Sequence, residues 1–181
     1  MELATLDKPT TKEHPLRQYI KDVPDFPKPG IMFRDISPLL RWHFGEAIAA
    51  MADMFSQAEW ARIDVVAGIE SRGFILAAGL AALQGKGFVK MRKRGKLPGP
   101  VVMREYGLEY GQDALEMQPG SGRILIVDDV LATGGTLAAA ADLAQESGHD
   151  VRGFCCLVNL AYLNQFTWHR QTARSLIHYD H

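Results

Sequence analysis

Hydrophobic positions in this chain come in unbroken runs rather than in strict alternation. RIDVVAGI (62–69), GFVKMR (87–92), RILIVDD (123–129) and VRGFCCLVNL (151–160) are each bounded by polar or glycine-bearing turns. Continuous runs predict strands covered on both faces, and hence a parallel sheet. FILAAGLAALQGKG (74–87), apolar nearly all round and closed by glycines, predicts a buried helix, and TLAAAADLAQESG (136–148) predicts another. Strands separated by helices predict α/β layering. WHFGEAIAAMADMFSQAEW (42–60) predicts one amphipathic helix with Phe44, Ile48, Met51 and Phe55 on a sheet-facing stripe. VVMREY (101–106) predicts a further strand and RSLIHY (174–179) a last short one. GLEYGQDALEMQ (107–118), with glycines around LEY, predicts a mobile loop or a short hairpin.

Two segments do not fit this alternation. DFPKPGIMFRDISPLL (25–40) follows Pro24 and carries Pro27, Pro29 and Gly30, which stiffen and then turn the backbone. It reads either as a cap on the core or as a rigid holder for a ligand, with Phe33, Arg34 and Asp35 exposed to it. The tail AYLNQFTWHRQTARSLIHYDH holds Trp168, His169 and Arg170, which no sequence pattern assigns; a structural or solvated role is expected for His169.

Composition narrows the class. The 181 residues suit one domain, with 47% hydrophobic and 23% charged residues, as in ordinary globular proteins. A formal net charge of −1 gives no general attraction to nucleic acid or to membranes, and neither is expected as a partner. The two cysteines, Cys155 and Cys156, are adjacent in an apolar run. They are expected to be buried thiols in a reducing, cytoplasmic setting. No cluster has the ligand spacing of a zinc site. Residues 1–14 lack the apolar core of a signal peptide, and FILAAGLAAL is about half the length of a membrane span.

The candidate chemistry sits in the turns after the strands, where open α/β sheets bind ligands. Asp128 and Asp129 end one strand. Adjacent carboxylates repel each other, but they suit the donor hydroxyls of a diol or a hydrated Mg²⁺. Ala132, Thr133, Gly134, Gly135 and Thr136 follow, a turn whose successive N–H groups can cradle phosphate at a helix N-terminus. Diol ligands beside a phosphate cradle outline a sugar phosphate; a plain strand–turn–helix is the bland alternative. Neither GxxxxGK[ST] nor GxGxxG is present. Glu70-Ser71-Arg72-Gly73 presents a guanidinium suited to an oxyanion, or to a salt bridge with a neighbouring acid. Arg92-Lys93-Arg94-Gly95-Lys96 is either a solvated face or a holder for a group as charged as pyrophosphate. Glu109, on the segment expected to move, is either a surface charge or an acid that closes over a ligand and moves a proton.

Together, FPKPGIMFRDISPLL, VVAGIESRGF, RKRGKLPG, LEYG and VDDVLATGGT resemble the adenine-specific branch of the type I phosphoribosyltransferases, over roughly residues 16–158. The resemblance implies a single domain with a mostly parallel central sheet flanked by helices and a small hood. It implies a variable extension over residues 1–15 and a mobile active-site loop over 104–118. It further implies a Mg²⁺-dependent homodimer that converts adenine and 5-phosphoribosyl 1-pyrophosphate (PRPP) to AMP and pyrophosphate. Asp128 and Asp129 would then hold the ribose hydroxyls, directly or through Mg²⁺ and water, and Ala132 to Thr136 the 5′-phosphate. Arg72, Arg92, Lys93 and Lys96 would meet the pyrophosphate. Phe33 would stack on adenine, Arg34 and its backbone would read the ring edge, and Glu109 would assist proton transfer with Tyr110 packed beside it. A preference for hypoxanthine, guanine or xanthine, or a PRPP-binding regulatory role, are the alternatives.

Overall fold

The computed structural model describes residues 13–108 and 111–181. A short ribbon comes first, β1 (Lys21–Val23) antiparallel to β2 (Phe33–Asp35). Then follow α1 (Ser37–Asp53), α2 (Gln57–Trp60), β3 (Val65–Ile69), α3 (Arg72–Gln84) and β4 (Gly87–Lys93). The chain continues with β5 (Val102–Leu108), β6 (Gly111–Met117), β7 (Gly122–Leu131), α4 (Gly135–Glu146), β8 (His149–Leu160) and β9 (Ala173–Tyr179). Strands β3 to β9 form one seven-stranded sheet in the order β5-β6-β4-β3-β7-β8-β9. The pairs β4–β3, β3–β7, β7–β8 and β8–β9 are parallel, whereas β5–β6 and β6–β4 are antiparallel.

The unbroken apolar runs have the expected cause. In β7, Leu125 and Val127 join the core formed with α1 and α3, while Ile124 and Ile126 join the core beneath α4. Both faces are thus buried, and an alternating pattern would leave polar residues in one core. Helix α3 lies close against α1: a Cβ on Gly79 would stand 2.7 Å from Ile48 Cδ1, so the helices meet there only with glycine. Gly85, at φ +62°, ends α3 in the left-handed conformation that glycine takes without cost.

Two element boundaries differ from expectation. The single helix expected over 42–60 starts earlier, at Ser37 with Pro38 in its first turn, and is broken after Asp53. Ser56 and Glu59 form a reciprocal capping box that starts α2, and Phe55 packs between the helices rather than on a continuous stripe. Strand β7 runs past the two acids to Leu131. On either side of the stretch around LEY, β5 and β6 pair antiparallel, which is the hairpin, one of the two expectations for it. Cys155 and Cys156 are free, buried thiols in β8, as expected.

The β1–β2 ribbon is fastened over the carboxyl end of the sheet. The Arg34 guanidinium lies 4.0 Å from the Tyr179 ring centroid at the end of β9, and Arg17 lies at the same distance. A cation over an aromatic face is attractive, so the two arginines clamp the hood to the edge strand.

Candidate active site

The carboxyl ends of β3, β4 and β7 converge beneath this hood. At the end of β7, Asp128 is half-buried and Asp129 is buried. Asp128 Oδ1 accepts the Asp129 backbone N–H at 2.9 Å. Gly73, at the start of α3, is the reason Asp128 can sit so close: a Cβ there would meet the Asp128 carboxylate at 3.1 Å and the Val127 carbonyl at 3.0 Å. Burial, then the charge of Asp129, pushes the Asp128 carboxyl well above its ordinary range. Arg72 offsets the pair from the neighbouring turn, its Nε 2.8 Å from Asp129 Oδ2. The same guanidinium lies 5.1 Å from the Phe33 ring centroid. Arg72 therefore bridges the acids and the aromatic ring of the hood. The peptide between Glu70 and Ser71, just before it, is cis.

The phosphate turn follows β7 directly. Gly134 takes φ +90° as the N-cap of α4, and no side chain caps the helix. The first N–H groups of α4 are thus left for a ligand. A small cavity of about 70 Å³ opens here, lined by Asp128, Ala132, Thr133, Gly134 and Thr136 among others. Two residues that sequence reasoning missed hold this turn from behind. Asn164 donates its amide to the carbonyls of Ala132 (2.7 Å) and Leu160 (3.0 Å) and to Asn159 Oδ1 (3.1 Å). Phe166 packs under Gly134, where a Cβ would stand 3.0 Å from its ring. Neither belongs to a local motif, because both come from the segment between β8 and β9.

The basic run is organised by acids. Arg92 donates to Glu70 from Nε (3.3 Å) and Nη2 (3.1 Å), and the Lys93 N–H donates to the same carboxylate at 2.9 Å. Arg92 holds the Glu70 carboxyl below its ordinary range. Lys93 Nζ pairs with Asp113 at 2.9 Å, and Lys96 Nζ is 3.7 Å from Glu70. Glu116 is buried and accepts three backbone N–H groups of the turn: Gly95 (2.9 Å), Lys96 (2.7 Å) and Leu97 (2.6 Å). Those bonds, the one from Gly95 first, keep its carboxyl below the ordinary value. The run is therefore a fixed turn rather than a loose solvated face. Asp113 and Glu116 were not singled out by sequence, since an acid at that spacing reads as surface charge; Glu70 was, but as a neighbour of Arg72, whereas it holds Arg92.

Two further expectations meet the structure differently. The Arg34 guanidinium is held by Asp22 at 2.5 Å and by Tyr179, while its Nε is buried with no hydrogen-bond partner among the described residues. Phe33, next to it on the ribbon, points the other way, toward Arg72. Glu109 and Tyr110 lie outside the described residues, as do residues 1–12 of the expected extension. The arm that leads to them rests on α4: Arg104 pairs with Asp142 at 3.0 Å and with Glu146. Tyr106 donates to Asp113 at 3.4 Å. Trp168 to Gln171 form a tight turn with His169 and Arg170 at φ +45° and +66°, anchored by a Trp168 indole bond to Asp142 at 2.8 Å.

A sheet edge carrying adjacent acids, a glycine turn opening a helix and a cationic turn together suit a phosphorylated sugar bearing a further charged group. The phosphoribosyl transferase domain model matches residues 42–164. The adenine phosphoribosyltransferase of Hydrogenovibrio crunogenus is 56% identical over 170 residues, which span 93% of this chain and 99% of that one. That of Bdellovibrio bacteriovorus is 51% identical, with 91% and 99% covered. The crystal structure of adenine phosphoribosyltransferase from Rhodothermus marinus superposes with a TM-score of 0.81 at 42% identity, covering 91% of this chain and 96% of that one. The Saccharomyces cerevisiae enzyme, solved with an imino-altritol bisphosphate and adenine, also gives 0.81, at 33% identity and coverage of 90% and 96%. The chain belongs to the adenine phosphoribosyltransferase family.

Proposed function

We propose that this chain transfers the 5-phosphoribosyl group of PRPP to adenine, forming AMP and pyrophosphate in purine salvage. The observation that carries the reading is Arg72, placed between the acids that suit a ribose and the aromatic ring that suits a purine. The C1–O bond to pyrophosphate breaks as the C1–N bond to adenine forms, on the opposite face, so configuration at C1 inverts. Negative charge grows on the departing pyrophosphate. In this reading Arg72, Arg92, Lys93 and Lys96 meet it, and a donor aimed at developing charge contributes about 10²-fold or more. Asp128 and Asp129 accept from the ribose hydroxyls, and the turn Ala132 to Thr136 binds the 5′-phosphate. Phe33 stacks on the base while the Arg34 backbone reads its edge. Glu109 accepts the proton that the attacking ring nitrogen loses.

The donor set fits Mg²⁺ only as a shared ligand. No group of three or more His, Cys, Asp or Glu that could hold a metal occurs among the described residues, and one acid of the pair is held by Arg72. Mg²⁺ commonly takes one or two carboxylates with substrate oxygens and water, so Asp128 and Asp129 would hold it through water and PRPP. When bound, it neutralises charge on the leaving pyrophosphate.

Ile75 and Leu83 are exposed on α3, and Phe88 at the start of β4, the end of that strand away from the basic turn. Large apolar side chains grouped on one face mark an interface, and we assign this face to a homodimer. Two buried free thiols fit the reducing cytoplasm. The test is AMP formation from adenine and PRPP with Mg²⁺, with hypoxanthine, guanine and xanthine competing at limiting PRPP. Adenine is the expected winner; preference for an oxopurine, or a folded but inactive protein, overturns the reading. Glu109→Ala is expected to spare PRPP binding and to lower kcat strongly.

A further inference from the structure

A second cavity, of about 400 Å³, lies away from this crevice, below the start of β9 and beside the first half of β8. Its size falls within the usual range of small-molecule sites, about 300–1,000 Å³. Its floor is apolar, formed by Phe55, Ile63 and Phe154, all buried. Its rim is cationic: Arg62, Arg152, Arg170 and Arg174 line it, against the single acid Glu59. Four guanidiniums against Glu59 and against Asp150, which pairs with Arg152, leave the cleft at +2, in a chain whose formal net charge is −1.

Two of the arginines are brought there by distinct local devices. Arg152 is the extra residue where β8 slips against β7: Val151 pairs with Ile124 and Gly153 with Leu125, leaving Arg152 without a counterpart. A bulge of this kind re-aims one side chain out of register. Arg170 sits at φ +66° in the Trp168–Gln171 turn, a left-handed conformation uncommon for a non-glycine residue. That turn is held on both sides, by the Trp168 bond to Asp142 and by Gln171, which donates to the Val151 carbonyl at 3.2 Å. Arg174 is fixed by Glu59, with its guanidinium 4.6 Å from the Phe55 ring centroid. Arg152 pairs with Asp150. Among the described residues, Arg62 and Arg170 have no acidic partner. A bulge that turns Arg152 and a left-handed turn that holds Arg170, beside Arg62, face three guanidiniums into one cleft, two of them without an acidic partner among the described residues, an arrangement suited to an anion. Guanidinium is the side chain best matched to phosphate oxygens, which it takes bidentately.

We propose that this cleft is a second binding site, distinct from the catalytic crevice, for a small molecule carrying two or more linked phosphates. The charge of the rim calls for more than one phosphate, and the apolar floor has room for a planar group attached to them. Such a ligand occurs as a nucleoside polyphosphate or as free polyphosphate. It would bind without contacting PRPP or adenine, so its role is regulatory or stabilising. The inference does not depend on which base the catalytic site prefers.

The test is calorimetric titration of the full chain with tripolyphosphate and, separately, with ATP, at saturating AMP and pyrophosphate so that both halves of the catalytic site are filled. The comparison is the double variant Arg62→Ala/Arg170→Ala. Both residues are exposed, so the variant is expected to fold and to keep its turnover. The expected result is one additional site per chain in the wild type, weakened at least tenfold in the variant and weakened steeply by added salt. Tighter binding of ATP than of tripolyphosphate identifies a nucleotide and a role for the Phe55, Ile63 and Phe154 floor. Equal binding identifies the phosphate chain alone. Phenylglyoxal modification mapped by mass spectrometry gives an independent readout, with protection expected at Arg62 and Arg170. No binding beyond the catalytic site, equal affinity in the variant, or binding of an oligonucleotide but of neither small polyphosphate overturns the proposal.

Discussion

Arg72 and Asp129 belong to different strand–turn units, yet the Arg72 Nε stands 2.8 Å from Asp129 Oδ2. The contact joins the turn after β3 to the end of β7 and makes a single crevice of two motifs. The partners are unequal, since Asp129 is buried while the Arg72 side chain is 39% exposed. Losing Arg72 leaves an unpaired buried anion, whereas losing Asp129 leaves a cation that reaches water. Arg72→Ala is therefore expected to lower stability by about 2 kcal/mol, less than for a fully buried pair because Arg72 is partly solvated. Asp129→Asn is expected to cost clearly less. Urea denaturation of both variants checks the order; equal losses would show that the pair contributes little.

Asp128 trades stability for binding. Its folded carboxyl titrates above the ordinary range, chiefly through burial. Between the ordinary carboxylate range and that raised value the native state holds the proton more tightly than the unfolded chain. Stability is therefore expected to fall as pH rises through this window. Asp128→Asn removes the effect. It should be more stable than the wild type by on the order of 1 kcal/mol at pH 8 and no more stable at pH 4. The same change should weaken PRPP binding by about tenfold or more, since a charge-assisted hydrogen bond to a hydroxyl is lost. Thermal melts across pH, with PRPP titration at pH 8, test both halves.

Glu116 shapes the basic turn without touching a ligand. Its carboxylate gathers the N–H groups of Gly95, Lys96 and Leu97, and those bonds lower its pKa. The stability it contributes is present above the ordinary carboxylate range and is lost as pH falls toward the lowered folded value. Glu116→Gln is expected to raise the KM for PRPP by about tenfold through a loosened turn, the worth of roughly one charged hydrogen bond. kcat should change little. A fall in kcat with KM unchanged would instead place Glu116 in the chemistry.

Asn164 acts on the phosphate turn alone. Asn164→Ala removes its bond to the Ala132 carbonyl and is expected to weaken AMP about fivefold. Pyrophosphate, which meets the other turns, should bind as before. Separate titrations with the two products distinguish this from general destabilisation, which would weaken both.

Much of the architecture was legible because burial on both faces of a strand leaves a direct trace in the sequence. Leu125 and Val127 face one core, Ile124 and Ile126 the other, so the run has to be apolar throughout. The break between α1 and α2 was harder to see. Phe55 continues the helical stripe in sequence, but the reciprocal bonds of Ser56 and Glu59 start a new helix beyond it.

The site divides along the same line. Asp128, Asp129 and the turn Ala132 to Thr136 could be read directly, because a strand end, a glycine turn and a helix start are neighbours along the chain. Their chemistry is local. Arg34 could not be placed that way. Its neighbour Phe33 faces the crevice while its own guanidinium turns to Asp22 and Tyr179, since successive residues of a strand point to opposite sides. Glu116, Asn164 and the arginine cleft were likewise invisible in one dimension. The Glu116 bonds to its turn span 19 to 21 positions, the Asn164 bond to Ala132 spans 32, and the arginine cleft runs from Arg62 to Arg174. Contacts between such distant positions arise only when the sheet brings separate turns and strand edges together. Composition and spacing record what each segment buries, not what it will meet.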